Sequence, residues 1–578
     1  MPPNRAKAQH RPTEAPSSQP AVQAESIKET TDSIVVAFIL AFVFRAFIVE
    51  AFVIPTGSMA ATLYGKHGAL ICADCGWENA YGLTDTSTRP PRYGPRSRVR
   101  CQNCNHLNTN LAVHDGVGVR AQHSRLSRSR AESGDRILVF KWPLDFGLQS
   151  IGLKRWDVTV FRNPTLPDQN FIKRLVGMPG DVLEIIDGDI YVVGVDELSE
   201  ETVHALDELR HTKYKLRTHQ PVDTDARLRF DGQALGFVLD ELAKKLRIAT
   251  KTPEAQQSLW QVVYNHDYPP GKLDAQQPYW QPQSPQRGQG WTDDGRRLTF
   301  SGGQASIRFA GKRIVDHNAY NIDMNPKDWN DVSDLRIEAV LSPNRGEGYV
   351  ELVLPKNRDS FRLRLFADGR ATLTRSMAAQ PGSAEVIDEA AISPFEPGRP
   401  VEIAFQNVDY KVSAFVNGRE VLATTPDQYA PDVNALRRNR RQLAYGPSIN
   451  AADLELELLH VVLYRDAYYT SPTFDRSKIS SWARRGWGTT YNPILLRQGE
   501  YFMLGDNSPA SKDSRLWESP GEHLLDRTEG YQLGTVPEDQ IVGPAFFVYW
   551  PSGLRPGWLP VVGDIGFIPN VGRMRWIR

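Results

Sequence analysis

Ser58 and Lys173 are the residues of this sequence whose types and surroundings could together perform nucleophilic catalysis. Ser58 lies in PTGSM, directly after a long apolar run, and Lys173 lies in FIKRLVG, between apolar residues. A serine hydroxyl becomes a strong nucleophile when a base removes its proton, and a lysine amine is a base only when it is neutral. Apolar neighbours favour the neutral form, because burial lowers a lysine pKa from its usual value of about 10.4. Taken alone, Ser58 is typical of a turn and Lys173 of a solvated strand face. A catalytic role for the two residues therefore depends on the other motifs of the sequence.

The apolar run before Ser58 covers Ile34–Ile54, and its 21 residues are enough to cross a bilayer core. It contains two charged residues, Arg45 and Glu50, both in its second half. We predict a transmembrane anchor over residues 31–54, preceded by a disordered tail over residues 1–30 that is poor in apolar residues. An amphipathic core helix is the alternative. Lys plus Arg and Asp plus Glu both number 68, so the net charge does not indicate nucleic acid as a partner.

Strand and helix patterns divide the remaining chain. Runs such as DRILVFKW and DVLEIIDGDIYVV are typical of strands, DELSEETVHALDELR has a helical period, and alternating strands resume after it. The predicted fold class is mainly β, with a β catalytic domain interrupted by a small cysteine-containing unit, a short helical linker and a jelly-roll-like β-sandwich. The predicted bounds are 55–66, 133–195 and 485–578 for the catalytic domain, 67–132 for the cysteine unit, 196–290 for the linker and 291–470 for the sandwich.

All four cysteines lie in two CxxC pairs, with 25 residues between the pairs. This pattern favours a zinc ribbon with four thiolate ligands, Cys72, Cys75, Cys101 and Cys104. Two disulfides are the alternative, because a domain outside the cytoplasm would meet an oxidising environment. Four thiolates leave no open coordination position, so the predicted zinc is structural and catalysis needs no cofactor.

Three motifs together resemble the bacterial type I signal peptidases, or leader peptidases, a family with a serine/lysine dyad. They are PTGSM, FIKRLVGMPGD and GDNSPASKDSR, and GDRILVFKW, RWDVTVFRNP and VPEDQIVGPAFFVYW accompany them in the expected order. The resemblance covers about 200 of the 578 residues. The sequence departs from it at Ala60 and Ala61, where many relatives carry a proline before the pair matched by Thr62 and Leu63.

The resemblance implies a role for each residue of these motifs. Ser58 would be the nucleophile and Lys173 the general base, and the Ser58 backbone N–H and the Thr56 hydroxyl would bind the oxyanion. Shallow pockets would accept small substrate side chains. The supporting residues would be Ser511 near the lysine, the bracing pair Asp513 and Arg515, and the turn residues Asp506 and Asn507, and the pocket residues would be Phe52, Ile54, Pro55 and Ile172.

The implied activity is that of a membrane-bound serine endopeptidase that removes N-terminal signal peptides from exported preproteins. Its partners would be the lipid bilayer and preproteins with small residues at the first and third positions before the cut. The implied location is the bacterial cytoplasmic membrane, crossed once, with the tail inside and the catalytic domain on the outer, periplasmic face. Intact motif residues favour this activity over a self-cleaving repressor, which would need a DNA-binding helix pair, and over a membrane-tethered envelope binding protein with an inactive peptidase core.

The sandwich is similar to laminin-G and concanavalin-like folds in its strand pattern and in the phrase YKVSAFVNGREVL. A carbohydrate or a protein is the hypothetical ligand, and a scaffold without a ligand is the alternative, because a fold does not define a function.

Overall fold

A computed structural model of the chain shows a mainly β protein, with 45% of the described residues in strands and 18% in helices, which confirms the mainly β character of the predicted fold. The residues that the structure describes are 20–86, 92–94, 98–109, 113–114, 129–141, 152–217, 236–271, 278–283, 290–321, 326–357, 359–377, 384–438, 446–472, 486–525, 531–551 and 570–577.

The N-terminal apolar run is divided between a helix and a strand. Helix α1 covers Pro20–Val43 and continues as a π-helical turn over Phe44–Ile48. Strand β1, Val49–Val53, follows and pairs antiparallel with residues 136–140. The predicted transmembrane helix over residues 31–54 is therefore wrong at its C-terminal end, since β-sheet pairing there outweighs the helical continuation of the run. The predicted disordered tail over residues 1–30 is wrong at its own end, because α1 already begins at Pro20. Within the residues described, no helix combines the length and the apolar character needed to span a membrane.

The cysteine-containing segment forms a small lobe of short strands. Its strands are β2 His67–Ile71, β3 Glu78–Gly82, β4 Thr84–Thr86, β5 Arg92–Gly94, β6 Arg98–Arg100, β7 Leu107–Thr109, β8 Val113–His114 and β9 Ser129–Glu132. Strands β2, β3, β8 and β9 form one sheet, and β4–β5 and β6–β7 are two hairpins. Each CxxC pair lies in the turn of a hairpin, the first between β2 and β3 and the second between β6 and β7.

The core strands before the insertion are β10 Arg136–Phe140, β11 Val158–Arg162, β12 Asn170–Gly177, β13 Asp181–Ile186 and β14 Asp189–Gly194. Strands β13 and β14 form a tight hairpin through Asp187 and Gly188, both of which have positive φ. An Asp-Gly pair suits this turn because glycine adopts positive φ without strain.

Helices follow this hairpin, as the sequence predicts. They are α2 Glu200–Arg217, α3 Gly236–Lys245 and α4 Pro253–Leu259, with strand β15, Arg247–Ile248, between α3 and α4. Helix α4 begins after Thr252, whose hydroxyl accepts a hydrogen bond from the Ala255 amide. This is an N-cap, and it fixes where the helix starts.

The large inserted β region covers residues 261–466 and is called the insertion below. Its elements are β16 Gln261–Asn265, β17 Trp280–Gln283, β18 Trp291–Asp293, β19 Arg297–Ser301, β20 Gln304–Phe309, β21 Leu335–Lys356, β22 Asp359–Phe366, β23 Arg370–Met377, β24 Ala384–Ala391, β25 Val401–Val408, β26 Lys411–Val416, β27 Arg419–Ala423, α5 Val433–Arg438 and β28 Ser448–Arg465. It starts earlier than the predicted position 291, because β16 already pairs with β28.

The insertion is one hydrogen-bonded sheet of 13 strands rather than two separate sheets. Strands β21 and β28 are 22 and 18 residues long, and they pair with each other along almost their whole length, from one end of the sheet to the other. Buried residues from both ends, such as Leu341 and Leu365, belong to one apolar cluster. The sheet therefore folds over a single core, and the long shared strands join the two layers that the sequence predicts as a sandwich.

The last strands return to the core. They are β29 Ile494–Leu495, β30 Glu500–Leu504, β31 Val536–Pro537, β32 Ile541–Trp550 and β33 Arg575–Trp576, with helix α6, Glu522–Leu525, between β30 and β31. The core sheet has the order β1-β10-β32-β11-β12-β30-β31, with β33 against β32. Strands from both sides of the insertion thus alternate, and β30 lies beside β12. A domain split by an insertion is what the structure shows, and this pairing brings the third motif to Lys173.

Candidate active site

Ser58 lies in a turn directly after β1, and this turn is held from two sides. Below it, Met59 is fully buried in an apolar cluster of the core. Above it, the Asn507 amide N–H donates to the Ser58 carbonyl over 3.0 Å, and Asn507 Nδ2 donates to the Gly57 carbonyl over 2.9 Å. The backbone of the turn is therefore fixed on both sides of the half-buried Ser58 side chain.

Lys173 lies in the middle of β12, and its amine reaches the serine. Its Nζ is 2.6 Å from Ser58 Oγ and donates to the Ile172 carbonyl over 2.9 Å. The ring of Phe171 lies on another side, with its centroid 5.2 Å from Nζ. A nitrogen and an oxygen at this distance can exchange a proton directly, which is the geometric requirement for a general base.

Burial changes the charge state of Lys173. Its exposed fraction is 3%, and loss of hydration lowers its pKa to about 8. The negative charges of Asp513 and Asp506 raise this pKa and the positive charge of Arg515 lowers it, but these effects are smaller than that of burial. A pKa near 8 leaves a useful fraction of neutral amine in neutral or mildly alkaline solution. The partners of Lys173 Nζ are a hydroxyl and a carbonyl and not a carboxylate, so the neutral form of the amine is accessible at this site.

Asp513 and Arg515 form a fully buried pair next to this centre. Arg515 Nε and one terminal nitrogen donate to the two Asp513 oxygens over 2.8 and 2.6 Å. Asp513 also accepts from the Gly505 amide over 3.0 Å. A Cβ at Gly505 would lie 2.2 Å from Ser511 Oγ and 2.5 Å from the Ser58 carbonyl oxygen, so only glycine fits here. The pair thus fixes the strand end that packs against the Ser58 turn.

Arg174 and Thr62 hold Asp506, and neither was selected as a site residue from the sequence. Arg174 donates to both Asp506 oxygens over 2.8 and 2.7 Å, and the Thr62 hydroxyl donates to Asp506 over 2.6 Å. Arg174 is fully buried. The signal in the sequence was an arginine inside an apolar strand, because a buried guanidinium needs a partner. Its partner lies 332 residues away, which no local pattern indicates.

The remaining predicted residues differ in how closely they join this centre. Ser511 is buried beside Gly505, but its hydroxyl has no hydrogen-bond partner in the described part of the chain. Ile54 and Ile172 are buried in the apolar cluster that contains Met59, and Phe52 packs against its side. Two residues of the turn, Thr56 and Pro55, have exposed side chains.

The four cysteines converge in the small lobe. The Sγ atoms of Cys72 and Cys104 are 3.6 Å apart and those of Cys75 and Cys101 are 3.7 Å apart, and all four are free thiols. All four Sγ atoms lie within 4.8 Å of one another. A tetrahedral zinc with bonds of about 2.3 Å requires sulfur atoms roughly 3.8 Å apart. The thiols therefore match the edge lengths of a four-thiolate site.

Amide groups surround these sulfur atoms. Nδ2 of Asn79 is 3.4 Å from Cys101 Sγ, and Nδ2 of Asn108 is 3.6 Å from Cys72 Sγ. Such N–H donors stabilise thiolates and orient metal ligands. The donor set and its surroundings fit a structural metal.

Comparison with known proteins shows which family the core resembles. A sequence model of the family described as "Signal peptidase, peptidase S26" matches residues 121–234 and 448–550, on both sides of the insertion. These residues include Lys173, Asp513 and Arg515, whereas Ser58 lies outside them.

Two of the relatives that match this chain are both named signal peptidase I. Signal peptidase I of Pseudomonas fluorescens is 40% identical over 80 residues, which are 14% of this chain and 23% of that protein. Signal peptidase I of Rickettsia prowazekii (strain Madrid E) is 24% identical over 193 residues, which are 33% of this chain and 53% of that protein. The chain thus spans between a quarter and about half of the length of these relatives.

Solved structures similar to this chain include the carbohydrate binding module CBM66 from Bacillus subtilis, with 13% identity and a TM-score of 0.21 over 32% of this chain and 94% of that one. Another is the VIP36 exoplasmic/lumenal domain, with 10% identity and a TM-score of 0.23 over 35% of this chain and 93% of that one. The family match on both sides of the insertion and the named relatives show that the peptidase core of this chain is similar to type I signal peptidases.

Proposed function

We propose that this protein is a serine endopeptidase that removes signal peptides from exported preproteins, with Ser58 as the nucleophile and Lys173 as the general base. The observation that carries the proposal is the 2.6 Å distance between Lys173 Nζ and Ser58 Oγ, with the lysine buried. The alternative, an envelope binding protein with an inactive core, has no need for a buried lysine whose pKa is lowered to about 8.

The chemistry follows from that contact. Neutral Lys173 takes the Ser58 proton while Oγ attacks the scissile carbonyl carbon, which gives a tetrahedral intermediate. The protonated Lys173 then gives that proton to the leaving amine, the carbon–nitrogen bond breaks, and an acyl-enzyme remains on Ser58. A water molecule, deprotonated by the same lysine, then attacks the ester carbonyl carbon. The protonated lysine returns the proton to Ser58 Oγ as the ester bond breaks, and the signal peptide leaves as a carboxylic acid that ionises in solution. The Ser58 backbone N–H and the Thr56 hydroxyl would bind the oxyanion in both steps.

The sheet edge beside Ser58 suits an extended substrate. Strand β1 is the end strand of the core sheet and leads directly into the Ser58 turn. Backbone groups on a free strand edge can pair with a peptide and align its scissile bond. Ile54 and Ile172 place apolar surface next to the nucleophile, with Phe52 and Pro55 nearby in sequence, which favours small apolar residues before the cut. A ligand for the insertion stays a prediction.

Cleavage of a preprotein by purified variants tests the dyad. Ser58→Ala and Lys173→Ala should each lower the cleavage rate on the order of 10³-fold or more, because either change removes proton transfer from the nucleophile. Ser301→Ala and Lys154→Ala, which change an exposed serine and an exposed lysine, are the matched controls. Wild-type rates in both dyad variants would refute the proposal.

We also propose that helix α1 holds the protein at a lipid bilayer. The large apolar side chains on this helix are strongly exposed, with Phe38, Leu40 and Phe42 at 61, 63 and 67%. Exposed apolar surface of this kind is typical of membrane contact. Flotation with phosphatidylethanolamine and phosphatidylglycerol vesicles should recover the wild type and lose Phe38→Asp/Phe42→Asp, whereas Thr30→Asp should still float. Equal flotation of all three proteins would contradict this assignment.

A structural zinc at the four cysteines completes the proposal, and the matching sulfur distances support it. The metal would join the two CxxC hairpins and take no part in the reaction. Metal analysis should find about one zinc per chain in the wild type and in Ser58→Ala, and much less in Cys72→Ser or Cys101→Ser. A wild-type protein without zinc would refute the site.

A further inference from the structure

A short loop of the insertion, residues 318–321, lies directly over the Ser58 turn. A Cβ added at Gly57 would lie 1.8 Å from Tyr320 Cε1 and 2.3 Å from Cζ, so the tyrosine ring packs against the glycine without room for a side chain. The Tyr320 side chain is buried. The residue before the nucleophile is thus covered by a residue that belongs to the insertion and not to the peptidase core.

The next residue of this loop is hydrogen-bonded to the turn through Asn507. Asn321 Nδ2 donates to Asn507 Oδ1 over 2.8 Å, and Asn507 Nδ2 donates to Asn321 Oδ1 over 2.7 Å. Asn507 Nδ2 also donates to the Gly57 carbonyl. Asn321 therefore orients the side chain that holds Gly57, while the Asn507 backbone N–H holds the Ser58 carbonyl.

The loop is itself held in place from the small lobe. The Gly82 amide donates to the Tyr320 carbonyl over 2.9 Å, and the Ala319 amide donates to Gln102 Oε1 over 2.9 Å. The Tyr320 ring stacks on Tyr64, with centroids 5.9 Å apart. Residues 318–321 are thus fixed against the lobe on one side and against the nucleophile turn on the other.

A segment just after the insertion also reaches the residues around the Ser58 turn. The Thr470 carbonyl accepts from Arg515 over 2.8 Å, and the Thr470 amide donates to Ser508 Oγ over 2.8 Å. The chain therefore re-enters the peptidase core at a position that touches the third catalytic motif.

We infer that Tyr320 and Asn321 are positioning residues for peptide cleavage, so that the insertion completes the active site. This inference rests on the proposed function. By fixing Gly57 and Asn507, the two residues limit how the Ser58 turn can move, and thereby keep Ser58 Oγ at Lys173 and its backbone N–H directed at the oxyanion. A displacement of about 1 Å at a nucleophile can cost on the order of 10²-fold in rate.

Kinetics of preprotein cleavage by the full-length protein test the inference. Asn321→Ala and Tyr320→Ala should lower kcat about 10- to 100-fold, with KM within about twofold and the alkaline rise of the pH profile unchanged, since no charge near Lys173 changes. Tyr320→Phe keeps the ring over Gly57 and should stay within about threefold of wild type. Asn450→Ala changes another asparagine of the insertion, whose side chain donates to Glu351, and controls for loss of insertion stability.

A compensating pair separates positioning from general damage. Gly57→Ala should inactivate the protein because its Cβ collides with the Tyr320 ring. Gly57→Ala/Tyr320→Ala removes the collision and should be at least tenfold faster than Gly57→Ala alone, a strong non-additivity.

The outcomes are distinct. If Asn321→Ala and Tyr320→Ala both keep kcat within twofold while Ser58→Ala is inactive, the inference is wrong and the dyad stands. If Ser58→Ala and Lys173→Ala cleave like wild type, the proposed function itself is wrong. If Tyr320→Ala does not fold, Asn321→Ala, which leaves the ring in place, gives the answer.

Discussion

Two lysines of this protein are both buried but differ in their partners. Lys173 meets a serine hydroxyl and a backbone carbonyl, and burial lowers its pKa to about 8. Lys251, just before helix α4, contacts Asp409 and lies 2.8 Å from Asp466. Burial also disfavours the charge of Lys251, but Asp409, Asp466 and Asp189 outweigh it and raise its pKa well above the usual value.

The group around Lys251 joins the core to the insertion. Asp189 belongs to the core strand β14, and the other three carboxylates, Asp334, Asp409 and Asp466, belong to the insertion. Lys356 of β21 contacts Asp334 in the same group, and its pKa is raised although burial opposes this. We conclude that direct carboxylate contact, not burial, decides whether a lysine here serves as a fixed cation or as a base.

The largest expected effect is on stability and comes from Lys251→Met. The variant leaves Asp409 and Asp466 buried beside each other without their cation, which should cost about 3–5 kcal/mol of unfolding free energy. The pKa of Lys251 is raised, so the wild-type contribution is fully present below about pH 10.5 and is lost only as the pH rises through the higher folded value. Denaturant unfolding at pH 7 measures the loss, with Lys154→Met as the exposed control. An unchanged midpoint would contradict the comparison.

Lys173→Met should raise the free energy of unfolding, whereas Lys251→Met should lower it. A folded pKa near 8 instead of 10.5 means that burying the charged lysine costs about 3 kcal/mol at pH 7, at about 1.36 kcal/mol per pKa unit. Methionine avoids this cost, so the variant should unfold at higher denaturant than wild type while losing activity. The unfolded chain binds more protons between pH 8 and 10.5, so wild-type stability rises there and the advantage of the variant should fade. A destabilised variant at pH 7 would show that Lys173 is held by favourable contacts.

A smaller effect is expected on the pH dependence of cleavage. Wild-type kcat should rise about tenfold per pH unit below pH 8 and level off above it, because the neutral form of Lys173 is the active one. Asp513 raises the lysine pKa and Arg515 lowers it, so Asp513→Asn should move the midpoint to lower pH. The rate maximum should fall as well, since Arg515 loses its partner. A midpoint that moves upward, or a flat profile in wild type, would exclude Lys173 as the titrating base.

Much of the site could be predicted from sequence because its chemistry lies in short motifs. The structure places Ser58 Oγ beside Lys173 Nζ, which the family resemblance implied, and gathers the four cysteines, which the CxxC spacing predicted. The partner of Arg174 could not be predicted, since it depends on β30 pairing with β12 across the insertion. Tyr320 and Asn321 lie in a loop without periodicity, so only the tertiary contacts identify them.

The N-terminal run shows the same limit for the fold. An apolar run has equal hydropathy whether it forms a helix or a strand, and Val49–Val53 becomes a strand because residues 136–140 offer it a partner. Similarly, alternating strands predict two layers in the insertion but do not reveal that β21 and β28 belong to both. Local patterns give the type of element, whereas strand partners are decided by the whole chain.

The smallest expected effect is a difference in stability between substitutions of two serines in the third motif. As with the lysines, the buried side chains differ in their partners, but here the groups are neutral hydroxyls. Ser508 Oγ accepts from Arg515 over 2.6 Å and from the Thr470 amide over 2.8 Å, whereas Ser511 Oγ has no partner among the described residues. Ser508→Ala should cost about 1–3 kcal/mol, because it leaves a buried guanidinium with one acceptor fewer. Ser511→Ala should change stability by less than about 1 kcal/mol, since no hydrogen bond is lost. Denaturant unfolding of both variants measures the difference, and equal losses would show that the Ser511 hydroxyl has a partner in solution.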